Sequence, residues 1–208
     1  MKRSVRILLI VLVCGVIGVT VLYMLVFNDR YVPPYPDTLP VGTTPEIAMP
    51  LHSNDSLTYI SGFGHLWEGF YHPGHDFGNN DTMSFYAIHA AFVTNITTLL
   101  EPGSLTYQVT VRFRMNSEWE YSYAFEPAAW TEAQNAWQLE NISVAVGQRV
   151  EQGQFVGNLL RFNASSQLHL MLSGNLTAVC PYAYLNETAR ALFDDWWACC
   201  GGSGSICN

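Results

Sequence analysis

Lysine is almost missing from this chain: the only one among its 208 residues is Lys2. Charge of either sign is scarce, at 12% of residues, and the formal balance is −8. A protein that holds nucleic acid needs a basic stripe to neutralise phosphates, so that class of partner is excluded. Paired C-x-x-C motifs are also absent, which removes the zinc knuckle from consideration. No internal repeat is visible, so a solenoid or propeller is not expected. With 49% of residues apolar, the chain can bury one full-sized core rather than two.

What is abundant comes first at the N-terminus. Residues 7–27, "ILLIVLVCGVIGVTVLYMLVF", carry no charge and follow Lys2, Arg3 and Arg6. A spanning helix needs roughly 20 apolar residues, whereas the core of a cleavable signal has about 7 to 15. No A-x-A cleavage pattern follows, so residues 7–27 are expected to be a retained transmembrane anchor, with Cys14 an ordinary residue of the span. The basic residues precede the span, which makes residues 1–6 a cytoplasmic stub and sends the rest outside. Membrane anchoring with an extracellular ectodomain is therefore the expected location.

Two further patterns agree with an exterior setting. Asn54, Asn80, Asn95, Asn141, Asn163, Asn175 and Asn186 each open an N-x-[ST] acceptor, and all lie beyond the span. The Asn, Ser and Thr content alone predicts about two such triplets, so attached glycans are expected. Four of the five cysteines, Cys180, Cys199, Cys200 and Cys207, fall in the last 29 residues. In an oxidising compartment they read as two disulfides. Adjacent residues rarely reach disulfide geometry, so the expectation is Cys180 bonded to one of Cys199 and Cys200, with Cys207 bonded to the other.

Residues 28–50 hold six of the ten prolines and show no apolar period, the composition of a stiff spacer. Beyond them, residues 51–179 read as strands. "SFYAIHAAFVTNITTLL" runs into the Pro-Gly turn "EPGS", then "LTYQVTVRFRM" alternates Tyr107, Val109, Val111, Phe113 and Met115 with polar residues. A third run, "EWEYSYAF", alternates Trp119, Tyr121, Tyr123 and Phe125 in the same way. Residues 127–141 are too long for a tight turn and partly helical in character. The glycines of "VAVGQRVEQGQFVG" allow tight corners between short strands, and "QLHLMLSG", 167–174, is the last strand. Residues 180–208 form a Cys-rich tail. Its helix is expected to open at Asn186 as N-cap, with Ala189, Leu192, Phe193, Trp196 and Trp197 making one apolar face. The fold class is thus mainly β: a compact antiparallel barrel-like or sandwich core with a C-terminal amphipathic helix, preceded by the transmembrane helix.

The stretch "YHPGHDFG", 71–78, concentrates chemistry. Its Pro73-Gly74 lets the chain fold so that His72 and Asp76, four residues apart, converge. A catalytic zinc takes three protein ligands and keeps a fourth position open. The third candidate is His169 in "QLHLML", because Leu168, Leu170 and Leu172 claim the buried face and aim Gln167, His169 and Met171 the other way.

The order of these features resembles the lysostaphin/LytM-type zinc metallopeptidases, peptidase family M twenty-three. The matching features are "HPGHDF", the "AIHAAFV" strand, the Pro-Gly hairpin, a Y-A strand, V-G-x-x-V-x-x-G-x-x-V-G and the closing L-H-L. The likeness covers about 60–174. The glycine motif is shared with biotinyl and lipoyl carriers, which require a modifiable lysine that residues 28–208 lack. The resemblance implies one zinc ion per chain held by His72, Asp76 and His169, and a peptide or cell-wall-type ligand. His75 falls where the family tolerates many residues, and His65 and His89 have no family role.

Two departures touch the catalytic helpers. The family ends in H-x-H, and its first, non-ligating histidine is Gln167 here, a weak catalytic candidate. A further helper histidine after the Y-A pair is expected to correspond to Phe125. Gln167 cannot take a proton at neutral pH, and Phe125 can neither take nor give one. A positioned acid–base group contributes ~10²- to 10⁴-fold, so turnover is expected to be lost or weakened unless Glu118, Glu120, Glu126, Tyr123, His75 or His89 substitutes. Strand alternation turns Glu126 to the face opposite Phe125, and so away from the presumed helper position. The first reading is a zinc-binding scaffold or peptide-binding module; the second is an active zinc endopeptidase with relocated helpers.

Overall fold

The structure, a computed structural model, describes residues 35–202 and 205–208. The anchor expected at residues 7–27 lies outside them, and among the described residues no helix is long and apolar enough to cross a membrane. Residues 36–208 form one compact unit.

The unit is mainly β. Twelve strands follow in order: β1 (Leu57–Ile60), β2 (Gly64–Trp67), β3 (Phe70–His72), β4 (His75–Asn79), β5 (Met83–Tyr86), β6 (Ala91–Glu101), β7 (Thr106–Arg114), β8 (Trp119–Ala129), β9 (Arg149–Val150), β10 (Phe155–Leu159), β11 (Ser166–Gly174) and β12 (Thr177–Val179). Helix α1 (Glu132–Glu140) follows β8, and α2 (Glu187–Cys199) follows β12 and a 3-10 turn at Pro181–Tyr184. The main sheet runs β1-β4-β11-β8-β7-β6-β9, with β12 also on β11, and every pair is antiparallel. It curls into an open half-barrel, and the two-stranded sheets β10-β5 and β2-β3 complete the β structure.

Alternation decides which face of this sheet is dry. Val109, Val111 and Phe113 of β7, Tyr121, Tyr123 and Phe125 of β8, and Leu168, Leu170 and Leu172 of β11 are all at most 1% exposed. They meet Phe85 of β5 and Val156 and Leu159 of β10 in one core. The two buried phenols do not go unpaired: Tyr121 donates to the His89 carbonyl at 3.0 Å and Tyr123 to that of Tyr86 at 2.6 Å. These bonds pin the break between β5 and β6.

The helices have legible starts. Thr131 and Gln134 form a capping box on α1, and buried Gln138 ties that helix to β10 by donating to the Asn158 carbonyl while accepting from the Leu160 amide. Asn186 caps α2, as the sequence predicts, accepting from the Ala189 amide at 2.8 Å. Ala189, Phe193 and Trp196 bury the helix's apolar face, and Phe193 meets Phe77 edge-on.

Two expectations are corrected. From Pro36 onward the presumed spacer lies along the domain: Thr38 donates to the Ala90 carbonyl, Ile47 is fully buried, and the Ile47 amide bonds to Tyr184. The sequence hid this because the apolar residues of that stretch are too few and too irregular to show a period. The cysteine pairing also differs. Cys180 bonds Cys207, with Cα atoms 5.8 Å apart, while Cys199 and Cys200 are free. The reason is the path of the tail, which turns back after α2 and pairs in parallel with Phe63, carrying Cys207 to the end of β12.

Candidate metal centre

His72 ends β3 and Asp76 lies in β4, across the tight turn Pro73-Gly74. Strand β11 runs beside β4 with His169 opposite Asp76, so sheet pairing brings the third residue to the other two. Gly74 is required where these elements meet. A Cβ there would run into the Leu170 carbonyl and lie 2.8 Å from His169 Nε2.

One ligand atom from each of His72, Asp76 and His169 lies within 4.8 Å of the others. The His169 Nδ1 to Asp76 Oδ1 distance is 2.8 Å, His72 Nε2 to Asp76 Oδ2 is 3.2 Å, and the two ring nitrogens are 3.1 Å apart. Second contacts fix the histidine on β3. His72 Nδ1 faces the Gly62 carbonyl at 2.7 Å, and a carbonyl only accepts, so Nδ1 carries the proton and Nε2 presents its lone pair to the cluster. His72 Nε2, His169 Nδ1 and the Asp76 carboxylate thus crowd one point, where a shared proton or a cation reconciles them. With two imidazoles and one carboxylate, and His72 braced from behind by the Gly62 carbonyl, the donor set suits zinc.

Electrostatics agrees. Burial alone would raise Asp76, but hydrogen bonds from His169 and His72 and their charge hold its carboxyl far below the usual carboxylate range. Burial pulls His72 down, and the hydrogen bond and charge of Asp76, with the Gly62 carbonyl, more than offset it, so its net shift is upward. His75, adjacent in sequence, points away from the cluster. It is 1% exposed, its Nδ1 donates to the Ser61 carbonyl, and its ring lies against Phe193 and the Cys180 sulfur. Burial, its largest influence, pushes it down to about 4.

The helper positions need correction. Phe125 does not face the cluster; it is fully buried with Tyr121 and Tyr123 on the core side of β8. The residue on the His169 side is Glu126, paired across the sheet with Gln167, while Ala124 sits opposite His169. Alternation did turn Glu126 away from Phe125, and that is the side on which the cluster lies. Gln167 links two groups: its Nε2 donates to Glu126 Oε2 at 2.9 Å, and its Oε1 accepts from the Tyr59 phenol. Burial, reinforced by the charge of Asp76, raises the Glu126 carboxyl to about 7. Burial, then the charges of Asp76 and Glu126, lifts the Tyr59 phenol well above its ordinary range, so it remains a donor. Tyr59 and the carbonyl of Gly62 went unnoticed in the sequence. The buried aromatic run of "EYSYAFE" is the signal that could have placed Glu126. Glu118 and Glu120 sit further along, where Glu118 accepts from the Gly42 amide and Glu120 pairs with Ser173. His89 donates locally to Ala90. None of the seven Asn acceptors is buried.

Solved structures similar to the chain include Helicobacter pylori Csd3 (16% identity, TM-score 0.48, 73% of this chain and 38% of that one). A putative peptidase M23 from Pseudomonas aeruginosa is similar at 18% identity and TM-score 0.47, over 79% of this chain and 60% of that one. Lysostaphin from Staphylococcus simulans is similar at 20% identity and TM-score 0.43, over 69% of this chain and 56% of that one. The chain therefore spans less than two thirds of the length of each of these three. No protein-family profile matches the sequence, and no curated protein does.

Proposed function

We propose that the chain is a zinc-dependent endopeptidase in which Glu126 does the acid–base work that the resembled family gives to histidine. The observation that carries this is the position of the Glu126 carboxyl: on the His169 side of the sheet, hydrogen-bonded to Gln167 and poised near neutrality. His72, Asp76 and His169 hold the ion. When bound, zinc supplies Lewis acidity toward a peptide carbonyl and toward water. Glu126, its carboxyl raised by burial, takes the proton of the attacking water and returns it to the leaving amine. Gln167 orients that carboxylate and keeps the Tyr59 hydroxyl beside it. Tyr59, a donor throughout the neutral range, turns its proton toward the developing oxyanion.

A second reading keeps the metal and drops the turnover. Gln167 stands where the family has a proton-transferring histidine, and this favours a binding module for peptide or wall-type material in the same cleft. The exterior, membrane-anchored location proposed for either reading draws support from the apolar run 7–27, the seven acceptor sites and the Cys180–Cys207 bond.

Full-length protein, stripped of metal and reloaded with zinc, separates the readings. Elemental analysis should give one ion per chain, abolished in His169→Ala. Glycine-rich and cross-bridge peptides should be cut, with Glu126→Gln keeping the metal and losing ~10²- to 10⁴-fold in kcat/KM. Stoichiometric zinc without cleavage at high enzyme concentration selects the binding module. Protein that takes up no metal overturns both.

A further inference from the structure

Helix α2 ends at Cys199, and Cys200 is its C-cap, leaving helical geometry at φ −106° and ψ 27°. On a continuing helix, neighbouring side chains diverge by about 100° around the axis. The change at Cys200 brings its sulfur back toward its neighbour, and the two Sγ atoms lie 3.0 Å apart. Both are free thiols; Cys199 is exposed and Cys200 partly covered. Cys199 is held rather than loose: Asn54 Nδ2 donates to its sulfur at 3.4 Å and its S–H reaches the Trp196 carbonyl at 3.5 Å. No role in the metal centre uses either residue.

We propose that Cys199 and Cys200 form a redox couple that exchanges with small disulfides, cycling between a dithiol and a vicinal disulfide. Exposure makes Cys199 the attacking group. Its thiolate displaces one thiolate from a low-molecular-weight disulfide, leaving a mixed disulfide on Cys199. The Cys200 thiolate, already in contact, attacks the Cys199 sulfur and releases the second small thiolate. Two protein thiols are oxidised, one small disulfide is reduced to two thiols, and the two protons leave with those products. Burial first, then the neighbouring Cys199, pushes the Cys200 thiol up to about 11, so it is the poorer nucleophile toward an outside disulfide, and its contact with the Cys199 sulfur is what gives it the resolving role.

The product is easily reversed. Across a trans peptide the Cα atoms stand about 3.8 Å apart, below the ordinary disulfide range of roughly 4.4–6.8 Å. Closing the ring therefore strains the turn in which the Cys200 amide bonds Trp196 and the Gly202 amide bonds Trp197. A strained bond of this kind returns readily to the dithiol.

The test treats native full-length protein with oxidised glutathione, traps remaining thiols with a maleimide and locates the products by mass spectrometry. The expected result is loss of two hydrogens within the Cys199–Cys200 peptide and no retained glutathione. Cys200→Ser should accumulate one glutathione on Cys199, and Cys199→Ser should react about tenfold more slowly or worse. A stable glutathione adduct on the unaltered protein overturns the proposal. So does new linkage to Cys180 or Cys207, or a native pair that stays reduced under conditions where the unfolded chain reacts.

Discussion

His75 shows how much one buried side chain can do without touching the metal. Its ring sits between Phe193 and the Cys180 sulfur and donates to Ser61, an environment that holds it neutral. Its value is about 4 in the fold against an ordinary 6.5, so between those limits the unfolded chain binds more protons than the native one. Stability is therefore complete above pH 6.5 and falls as pH drops toward 4, by about 3 kcal/mol at most. His75→Gln should be less stable at pH 7 yet lose less on acidification, as measured by urea denaturation of metal-free protein at each pH. A difference between the two proteins that does not change with pH would rule this out. The clustering of His72, Asp76 and His169 was legible at the residue scale because its geometry is local: His72 and Asp76 flank a Pro-Gly turn, and the leucines around His169 fix its face. The role of His75 was not, since nothing in the stretch 71–78 tells that α2 and a disulfide close over it.

At the scale of elements, residues 61–63 support the cluster from behind. The Ser61 hydroxyl accepts from the Asp76 amide at 2.7 Å, and the Gly62 carbonyl orients His72. On the opposite side Phe63 donates to Ile206 and accepts from the Asn208 amide, while Asn208 Nδ2 reaches His65. The tail thus braces the segment that braces the ligands, and the Cys180–Cys207 bond, spanning 27 residues, keeps the tail in place. Closing a loop of that size contributes about 3–4 kcal/mol in the chain-entropy account. Replacing both cysteines by serine should leave a folded domain that binds zinc roughly 10- to 100-fold more weakly, read by competition with a chelating dye. Unchanged affinity in a folded variant would separate the tail from the site. The strands themselves could be read from alternation, but their neighbours could not. Glu126 lies on the His169 side because β8 lies beside β11, a pairing between residues 41 positions apart that local pattern does not encode. The same holds for the cysteines: Cys207 finds Cys180 through the tail's contact with Phe63, which leaves no mark on cysteine spacing.

For the whole molecule, the His72–Asp76–His169 cluster joins parts of the chain that the sheet already holds side by side. His72 and Asp76 come from the early strands and His169 from the strand at the centre of the β4-β11-β8 array, 93 residues beyond Asp76. Without a cation, Asp76 shares protons with two imidazoles whose ring nitrogens are crowded to within 3.1 Å of each other. A bound ion removes that conflict and binds the native state alone, since the unfolded chain does not bring the three together. Free zinc at 100 times its Kd adds about 2.7 kcal/mol. With roughly 2–4 °C per kcal/mol for a domain of this size, the thermal midpoint should rise on the order of 5–10 °C. The rise should follow the logarithm of zinc concentration above Kd, vanish in His169→Ala, and survive in Glu126→Gln, whose carboxyl stands outside the ligand set. Calorimetry across a zinc series checks all three. Because this readout does not depend on turnover, it distinguishes a metal centre from a polar cluster whether the cleft cuts its ligand or only holds it.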